Sequence, residues 1–318
     1  MPHITANGVN LYYEESGPAD APIILLVMGL GAQMIAWPDD FIQGLVGKGY
    51  RIIHYDNRDV GMSQRMEGAA TPHLVWTMFK ARLGLPVTVP YTLTDMAADG
   101  IALLDALGIQ KAHVVGASMG GMIVQLMAAN HAERLWSMTS IMSSSGAPGL
   151  PGARPDIQRR FMVKRSPDAS RDEAVAFGAD LVNAFSFPDP ARPDGAHAEM
   201  AGKAFDRGYY PIGTRRQLLA IIADGSRVER LKKIKVPTLV VHGGADPLVP
   251  KEGSEDIARH IPGARLEIID EMAHDLPPSQ VGRMVDLIAG HAIAATQNDR
   301  SPEQQSPATA SVEGRVSA

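Results

Sequence analysis

One serine of the chain lies between glycines, at a point where an apolar run gives way to a helical pattern. In "HVVGASMGG" (113–121), Gly116, Ser118 and Gly120 form the pattern Gly-x-Ser-x-Gly. A serine on a sharp strand-to-helix turn has an exposed hydroxyl, and the helix N-terminus offers N–H groups to a developing negative charge. The bare pattern also arises by chance, but its position between a strand and a helix predicts a nucleophile elbow with Ser118 as the nucleophile.

A serine hydroxyl is a weak nucleophile without a base, and the base needs an acid to orient it. Suitable side chains follow two later apolar runs. "GADPLVP" (244–250) places Asp246 in a loop just after one predicted strand, and "EMAHDLPP" (271–278) places His274 after the next. The order Ser, Asp, His is the one expected of this elbow architecture. The sequence therefore predicts Ser118 as nucleophile, His274 as base and Asp246 as its orienting acid.

Other histidines and carboxylates fit these roles less well. His242 ends the strand before the predicted acid, and we expect it to pack in a loop. His54 and His113 lie within predicted strands, which favours a place in the core or at the sheet edge. Asp275 directly follows the predicted base, so its side chain should diverge from the imidazole. Asp270 ends a strand and is expected to cap the following loop.

The elements that must position these residues alternate between short apolar runs and helix-length amphipathic stretches. This alternation predicts an α/β fold with right-handed crossovers, in which helices flank a mostly parallel sheet of eight strands. An Asn-Gly pair within residues 3–16 predicts a hairpin at the start of the chain. The later strand-like runs are "IILLVMG" (23–29), "YRIIHYD" (50–56), "AHVVG" (112–116), "LWSMTSIMSS" (135–144), "VPTLVVHG" (236–243) and "ARLEIID" (264–270).

The pattern also divides the chain into segments. Residues 1–145 and 234–292 carry the strand–helix alternation of the core. Residues 146–233 are helical in pattern without a strong strand, which predicts an inserted cap over one edge of the sheet. Residues 293–318 have almost no bulky apolar side chains, so we expect a disordered tail.

Bulk composition excludes several classes of function. The chain has 318 residues and a net charge of −5, so it lacks the basic surface of a nucleic-acid-binding protein. It has no cysteine, which removes disulfides and thiol chemistry. Its longest apolar run (22–31) is too short for a membrane helix, and the N-terminus carries no signal-peptide pattern. We expect a cytoplasmic protein that needs neither metal nor cofactor; a homo-oligomer remains open.

Four motifs together resemble the α/β-hydrolase family over residues 3–291. They are "GASMGG" (116–121), "GGADPLVP" (243–250), "MAHDLP" (272–277) and "HYDNRDVGMS" (54–63). The resemblance implies an oxyanion hole built from two backbone N–H groups, those of Met119 and Leu30. Most members have a histidine where this chain has Met28. "MGLG" (28–31) and "WPDDF" (37–41), with Asp59 after Arg58, are similar to the esterase subgroup that contains aclacinomycin methylesterase.

These residues lead us to expect a serine carboxylesterase that acts on apolar, small to medium carboxylic esters. Alternatives with the same residues are C–C bond hydrolysis, lactone opening and perhydrolysis, and a different class is a hydrolase-like binding protein without turnover. The basic clusters at 159–165 and 227–235 are expected to form solvated helix faces. Apolar and aromatic residues of the predicted cap either line a substrate pocket or pack on the sheet: Phe161, Met162, Phe177, Leu181, Phe185, Phe187, Tyr209 and Tyr210.

Overall fold

A single twisted sheet organises the computed structural model, which describes residues 2–163 and 165–299. The sheet has eight strands in the spatial order β1-β2-β4-β3-β5-β6-β7-β8. The first two strands pair antiparallel and β2 also runs antiparallel to β4, whereas all later pairings are parallel. The predicted α/β architecture is thereby confirmed. The strands are β1 (His3–Ala6), β2 (Val9–Ser16), β3 (Ile23–Val27), β4 (Arg51–Tyr55), β5 (Ala112–Ala117), β6 (Leu135–Ile141), β7 (Thr238–Gly243) and β8 (Arg265–Ile269).

The central strands are apolar because helices cover both of their faces. Every residue of β5 and β7 is buried, as is typical of strands in the middle of a parallel sheet. Residue Gly116 pairs with Val27 on one side and with Ser140 on the other, so β3, β5 and β6 end side by side. The carboxyl ends of these strands therefore bring their following loops to one edge of the sheet.

Helices pack in a layer on each face of the sheet. On one face, α1 contacts α11, and their apolar side chains, such as Phe41 and Met284, form one core cluster with the sheet. On the other face, α3 packs on α4, and Met96 and Ile123 belong to the second cluster. The helices of the described residues are α1 (Asp39–Gly47), α2 (Leu74–Arg82), α3 (Leu93–Ala106), α4 (Met119–Asn130), α5 (Pro155–Phe161), α6 (Arg171–Phe185), α7 (Ala196–Gly208), α8 (Pro211–Asp224), α9 (Val228–Leu231), α10 (Glu252–His260) and α11 (Val281–Asp299).

The segment between β6 and β7 is helical throughout its regular structure. Residues 146–233 carry α5 to α9, and α6 packs along α7. Helix α8 packs this segment against the loop after β4. Its backbone at Gly213 lies so near Asp59 that an added Cβ would be 1.9 Å from the Asp59 carbonyl oxygen. The short α9 contacts α4 and α10, and Leu231 is part of the sheet's own core cluster.

In the basic cluster at 227–235, Lys232, Lys233 and Lys235 are exposed as expected of a solvated face, whereas Arg227 is not. Arg227 is 1% exposed, and its guanidinium donates to Gln125 Oε1 and to the Asp224 carboxylate. Burial lowers the pKa of Arg227, and the nearby Asp224 charge acts against that effect. The buried carboxylate explains why a cation lies inside the protein here.

The C-terminal helix is longer than the sequence predicts. Helix α11 continues to Asp299, so residues 293–299 do not belong to the expected disordered tail. Ala292 and Ala295 are buried and continue the helical spacing from Ile288. The remainder of that tail, residues 300–318, lies outside the described residues. Within the part of the chain that the structure describes, no helix is both long and apolar enough to cross a membrane.

Candidate active site

Ser118 occupies the turn between β5 and α4. Its φ of 56° is in the left-handed region that residues other than glycine rarely adopt, so the backbone is strained at this residue. The turn is possible because the residues two positions before and two positions after Ser118 are glycines. A Cβ on Gly116 would lie 2.1 Å from the Gly120 carbonyl oxygen, and a Cβ on Gly120 would lie 2.0 Å from the Val27 carbonyl oxygen. Both predicted elbow glycines are therefore sterically required.

A chain of two hydrogen bonds joins the three residues singled out in the sequence. The Nε2 atom of His274 lies 3.0 Å from Ser118 Oγ, and its Nδ1 atom lies 2.6 Å from Asp246 Oδ2. An ionised carboxylate only accepts hydrogen bonds, so Nδ1 carries the proton. Nε2 is then free to accept the Ser118 hydroxyl proton. The structure thus brings His274 to Asp246, 28 residues away in the sequence, and to Ser118, 156 residues away.

Asp246 is held as an ionised acceptor. Its Oδ1 atom accepts hydrogen bonds from the backbone N–H groups of Leu248 at 2.8 Å and Val249 at 2.9 Å. Burial alone would raise the pKa of this carboxyl, but the charge of His274 and the hydrogen bonds from His242 and His274 outweigh it, so the pKa lies below its ordinary value. A permanently charged acceptor fixes the imidazole in one orientation.

His242 has a closer relation to the site than its sequence position predicts. Its Nε2 atom lies 3.3 Å from Asp246 Oδ2 and 2.7 Å from the Val249 carbonyl oxygen, and its Nδ1 atom bonds to the Ser254 hydroxyl. It therefore contacts the acid, although the expected role was loop packing alone. The sequence offered only proximity, four residues before Asp246, as a signal.

The helical segment contacts both the backbone and the imidazole of His274 through Phe185. The backbone N–H of His274 donates to the Phe185 carbonyl oxygen at 3.0 Å, and the Phe185 ring meets the imidazole edge-on at 5.6 Å. Asp275 points away, as predicted: it accepts from the Phe187 N–H and pairs with the Arg192 guanidinium. His54 and His113 are buried within strands β4 and β5.

The loop after β3 lies directly against Ser118. A Cβ on Gly29 would be only 3.1 Å from Ser118 Cβ, so the residue that precedes Leu30 lies against Ser118. The Met119 N–H is the first of helix α4. Among the described residues, neither of these two N–H groups donates to a protein acceptor. Met28 is buried in an apolar cluster beneath the loop, so its side chain does not reach the site.

Hydrogen bonds from three directions fix this loop. The Asn57 amide donates to the Met28 carbonyl oxygen at 2.9 Å, and Gly31 N–H donates to Gln217 Oε1 at 2.8 Å. Asp56 Oδ1 accepts from the Met34 N–H at 2.7 Å. Because Gln217 is on α8, the helical segment and the core together set the position of the candidate oxyanion donors.

The motif "DNRDVGMS" (56–63) braces the loop after β4. Ser63 donates its hydroxyl proton to the Asp56 carbonyl oxygen and accepts from the Tyr12 N–H. Arg58 forms a two-pronged, buried ion pair with Asp99 on α3. None of these side chains lines the cavity that lies between the loop after β3 and the helical segment.

A cavity of about 270 Å³ lies between the loop after β3 and the helical segment. That volume suits a small to medium ligand, because typical ligand pockets begin near ~300 Å³. Ser118 and His274 do not line the cavity themselves, but the Phe185 ring lines it and also meets the His274 imidazole. Leu30 lines it as well and directly follows Gly29, which lies against Ser118. Six of the apolar and aromatic residues singled out in the sequence line it: Phe161, Phe177, Leu181, Phe185, Tyr209 and Tyr210.

Two of those residues do not line the cavity. Met162 is 56% exposed at the surface, and Phe187 lies beside Asp275. Among the basic residues of the cluster at 159–165, Arg165 does line the cavity, although it was expected on a solvated face. The described residues contain no group of three or more histidine, aspartate or glutamate side chains arranged to hold a metal ion.

Comparisons with known proteins identify the family of the chain. A family model for the α/β-hydrolase fold matches residues 22–278. Rhodomycin D methylesterase of Streptomyces peucetius is 31% identical over 92% of this chain and 98% of its own length. A putative carbamate hydrolase of Caulobacter sp. (strain K31) is 28% identical over 89% of this chain and 97% of its own.

A solved structure shows the same fold at lower identity. The meta-cleavage product hydrolase of Pseudomonas fluorescens IP01 superposes with a TM-score of 0.72 at 21% identity, and the match covers 93% of this chain and 98% of that one. The family model and the methylesterase relative confirm the resemblance seen in the sequence motifs. The chain belongs to the α/β-hydrolase family of enzymes, within which it resembles the methylesterases.

Proposed function

We propose that the protein is a serine carboxylesterase, which hydrolyses carboxylic esters through an acyl-enzyme on Ser118. The observation that carries this proposal is the hydrogen-bonded chain from Ser118 Oγ through His274 to Asp246. Similarity to methylesterases supports an ester with a small alcohol part. The acyl part then occupies the mainly apolar cavity beside Leu30 and Phe185.

In the first half of the reaction, Ser118 Oγ attacks the ester carbonyl carbon while its proton passes to His274 Nε2. Asp246 stabilises the imidazolium that forms. The negative charge that develops on the carbonyl oxygen is stabilised by the N–H groups of Leu30 and Met119, and each such donor contributes about 3 kcal/mol. The alcohol leaves with the proton from His274, and the acyl group stays on the serine.

The second half repeats these steps with water as the nucleophile. His274 takes a proton from the water, the hydroxide attacks the acyl carbon, and the same two N–H groups hold the oxyanion. Collapse of this intermediate releases the carboxylic acid and returns the proton to Ser118 Oγ. His274 carries every proton between Ser118, the leaving alcohol and water, and Asp246 stays ionised throughout the cycle.

The test is hydrolysis of p-nitrophenyl esters from acetate to palmitate. We expect the wild type to favour short and medium chains, and Ser118→Ala to lower kcat by about 10³-fold or more. A fluorophosphonate should label the wild type at Ser118, as mass spectrometry would show. Ser144→Ala is the matched control, because this serine is in the loop after β6 and, among the described residues, its hydroxyl bonds only to the Gly146 N–H.

Each alternative has its own signature in this experiment. Hydrolysis that persists in Ser118→Ala would assign the activity to another site. Labelling at Ser118 without hydrolysis of any ester would favour lactone or C–C bond hydrolysis by the same residues. Absence of both labelling and hydrolysis would favour a binding protein.

A further inference from the structure

The cavity beside the candidate site contains one charged side chain within the described residues. Its lining is mostly aliphatic, aromatic and glycine, and it includes neither a carboxylate nor a lysine. Arg165, in the connection between α5 and α6, contributes a guanidinium to this lining. A ligand in the cavity therefore meets a positive charge in apolar surroundings.

Arg165 has no carboxylate partner in the described part of the protein. Its guanidinium carbon lies 5.8 Å from the centre of the Phe177 ring, which is a cation–π contact. No hydrogen bond or ion pair from its guanidinium is present among the described residues. Other arginines of the helical segment have acidic partners, for example Arg171 with Asp206 and Arg192 with Asp275.

The neutral polar side chains of the cavity mostly bond within the protein, which leaves the guanidinium as the strongest donor available to a ligand. The four pairs are Gln33 with Ala204, Tyr209 with Ser166, Tyr210 with Arg216 and His197 with Asn183. The bond from the Tyr209 hydroxyl to the Ser166 carbonyl oxygen, at 3.0 Å, also holds the backbone next to Arg165.

The Arg165 guanidinium loses hydration in the cavity, and this loss costs free energy unless a ligand supplies new hydrogen bonds. Burial lowers the pKa of Arg165, while the neighbouring Tyr209 acts in the opposite direction. Arginine keeps its charge even so. A charge in an apolar cavity loses hydration, and an anion with a planar pair of oxygens restores the lost interaction through a two-pronged hydrogen bond.

We propose that Arg165 binds a carboxylate of the substrate, so that the preferred esters are half-esters of dicarboxylic acids. This inference rests on the proposed esterase function and names its substrate class. The guanidinium holds the free carboxylate in the cavity, and the ester group of the same molecule extends past Leu30 and Phe185 to Ser118. Arg165 is a specificity-determining residue in this scheme, and it takes no part in bond cleavage.

A pair of methyl esters isolates the contribution of the carboxylate. Monomethyl adipate and methyl hexanoate have the same chain, and a carboxylate in the first replaces a methyl group in the second. For the wild type, kcat/KM from methanol release should be about 10-fold to 100-fold higher for monomethyl adipate, as expected of a hydrogen-bonded charge pair. Arg165→Met should abolish this ratio, and Arg165→Lys should recover part of it.

Arg159→Met is the matched control, because it removes a charge from the same basic cluster without touching the cavity. Its ratio should equal that of the wild type. The inference is wrong if Arg165→Met hydrolyses methyl hexanoate as the wild type does and keeps the preference for monomethyl adipate. Failure of the esterase function looks different: neither ester is hydrolysed, or hydrolysis persists in Ser118→Ala.

A binding measurement tests Arg165 independently of turnover. Ser118→Ala, titrated calorimetrically with a naphthalene carboxylate and the matching carboxamide, should bind the carboxylate about tenfold or more tightly. The double variant with Arg165→Met should bind the two equally. If the carboxylate binds Ser118→Ala no more tightly than the carboxamide does, Arg165 is not a carboxylate site.

Discussion

At the scale of single residues, the direction of a side chain decides which carboxylate forms a hydrogen bond with the His274 imidazole. Asp246 reaches the imidazole Nδ1 atom from another loop, whereas the adjacent Asp275 pairs with Arg192. We expect Asp246→Asn to lower kcat by about 10³-fold to 10⁴-fold, because an amide cannot hold the imidazole in the required tautomer. Steady-state kinetics on an ester that the wild type hydrolyses would measure this loss.

Asp275→Asn is the matched control for this prediction. It removes the ion pair with Arg192, so we expect a lower melting temperature and a kcat within a few-fold of the wild type. Equal losses of kcat in the two variants would contradict the assignment of Asp246 as the orienting acid.

Residue types and loop positions were enough to predict that Ser118, Asp246 and His274 lie together, since each follows a strand at the same edge of the sheet. The contact of His242 with Asp246 and the place of Arg165 in the cavity were not predictable in this way. Both depend on how a loop or a connection between helices docks on the core. No local spacing of residues encodes that docking.

At the scale of elements, the turn between β5 and α4 depends on two glycines that cannot carry a side chain. An added Cβ at Gly120 would lie 2.0 Å from the Val27 carbonyl oxygen, which belongs to a central strand and cannot move aside cheaply. We expect Gly120→Ala to lower the free energy of unfolding by about 3 kcal/mol or more and to abolish activity. Urea denaturation followed by circular dichroism would measure the change in stability.

The same substitution at Gly290 is the control. This glycine is inside helix α11 with nothing within 4 Å of an added Cβ, so alanine should leave the stability unchanged or raise it by up to ~1 kcal/mol. A Gly120→Ala protein as stable as Gly290→Ala would mean that the turn relaxes without strain.

Periodicity predicted the strands, but the composition of residues 293–299 wrongly placed them in a disordered tail and not in the last helix. Residues 293–299 are mainly small or polar, which is also typical of a tail. The signal was the spacing of Ile288, Ala292 and Ala295, which puts all three on one buried face of α11. Alanine contributes so little apolar surface that such a face is hard to recognise from sequence alone.

At the scale of the whole molecule, the sheet and the helical segment contribute different parts of the candidate site. The alternation of strands and helices makes the later strands parallel, and their shared direction brings the three predicted side chains to one edge. The cavity lies where α5 to α8 and the connections between them meet the loop after β3. Its volume and its single charge therefore follow from tertiary packing, which the sequence pattern does not specify.

We expect buried histidines to make the stability of the whole molecule sensitive to acid. His113 on β5 is 1% exposed, and burial, together with the charge of His291, lowers its pKa from 6.5 to about 4. Between these pH values the unfolded chain binds a proton that the folded protein does not. The stability due to the neutral imidazole is complete above about pH 6.5 and is lost as the pH falls towards 4, which amounts to about 3 kcal/mol.

His113→Asn should flatten this pH dependence, because an amide can still bond to the Ser137 hydroxyl, which now lies 2.8 Å from the imidazole, and does not titrate. Unfolding free energies from urea denaturation between pH 7 and pH 4 should decline less steeply in this variant. Part of the decline should remain, since burial also lowers the pKa of His54 and His291. His73→Asn, at an exposed histidine, should decline as the wild type does. If His113→Asn and the wild type decline equally, the folded protein must accept a proton at His113 without loss, and the acid sensitivity of the molecule must originate in other groups.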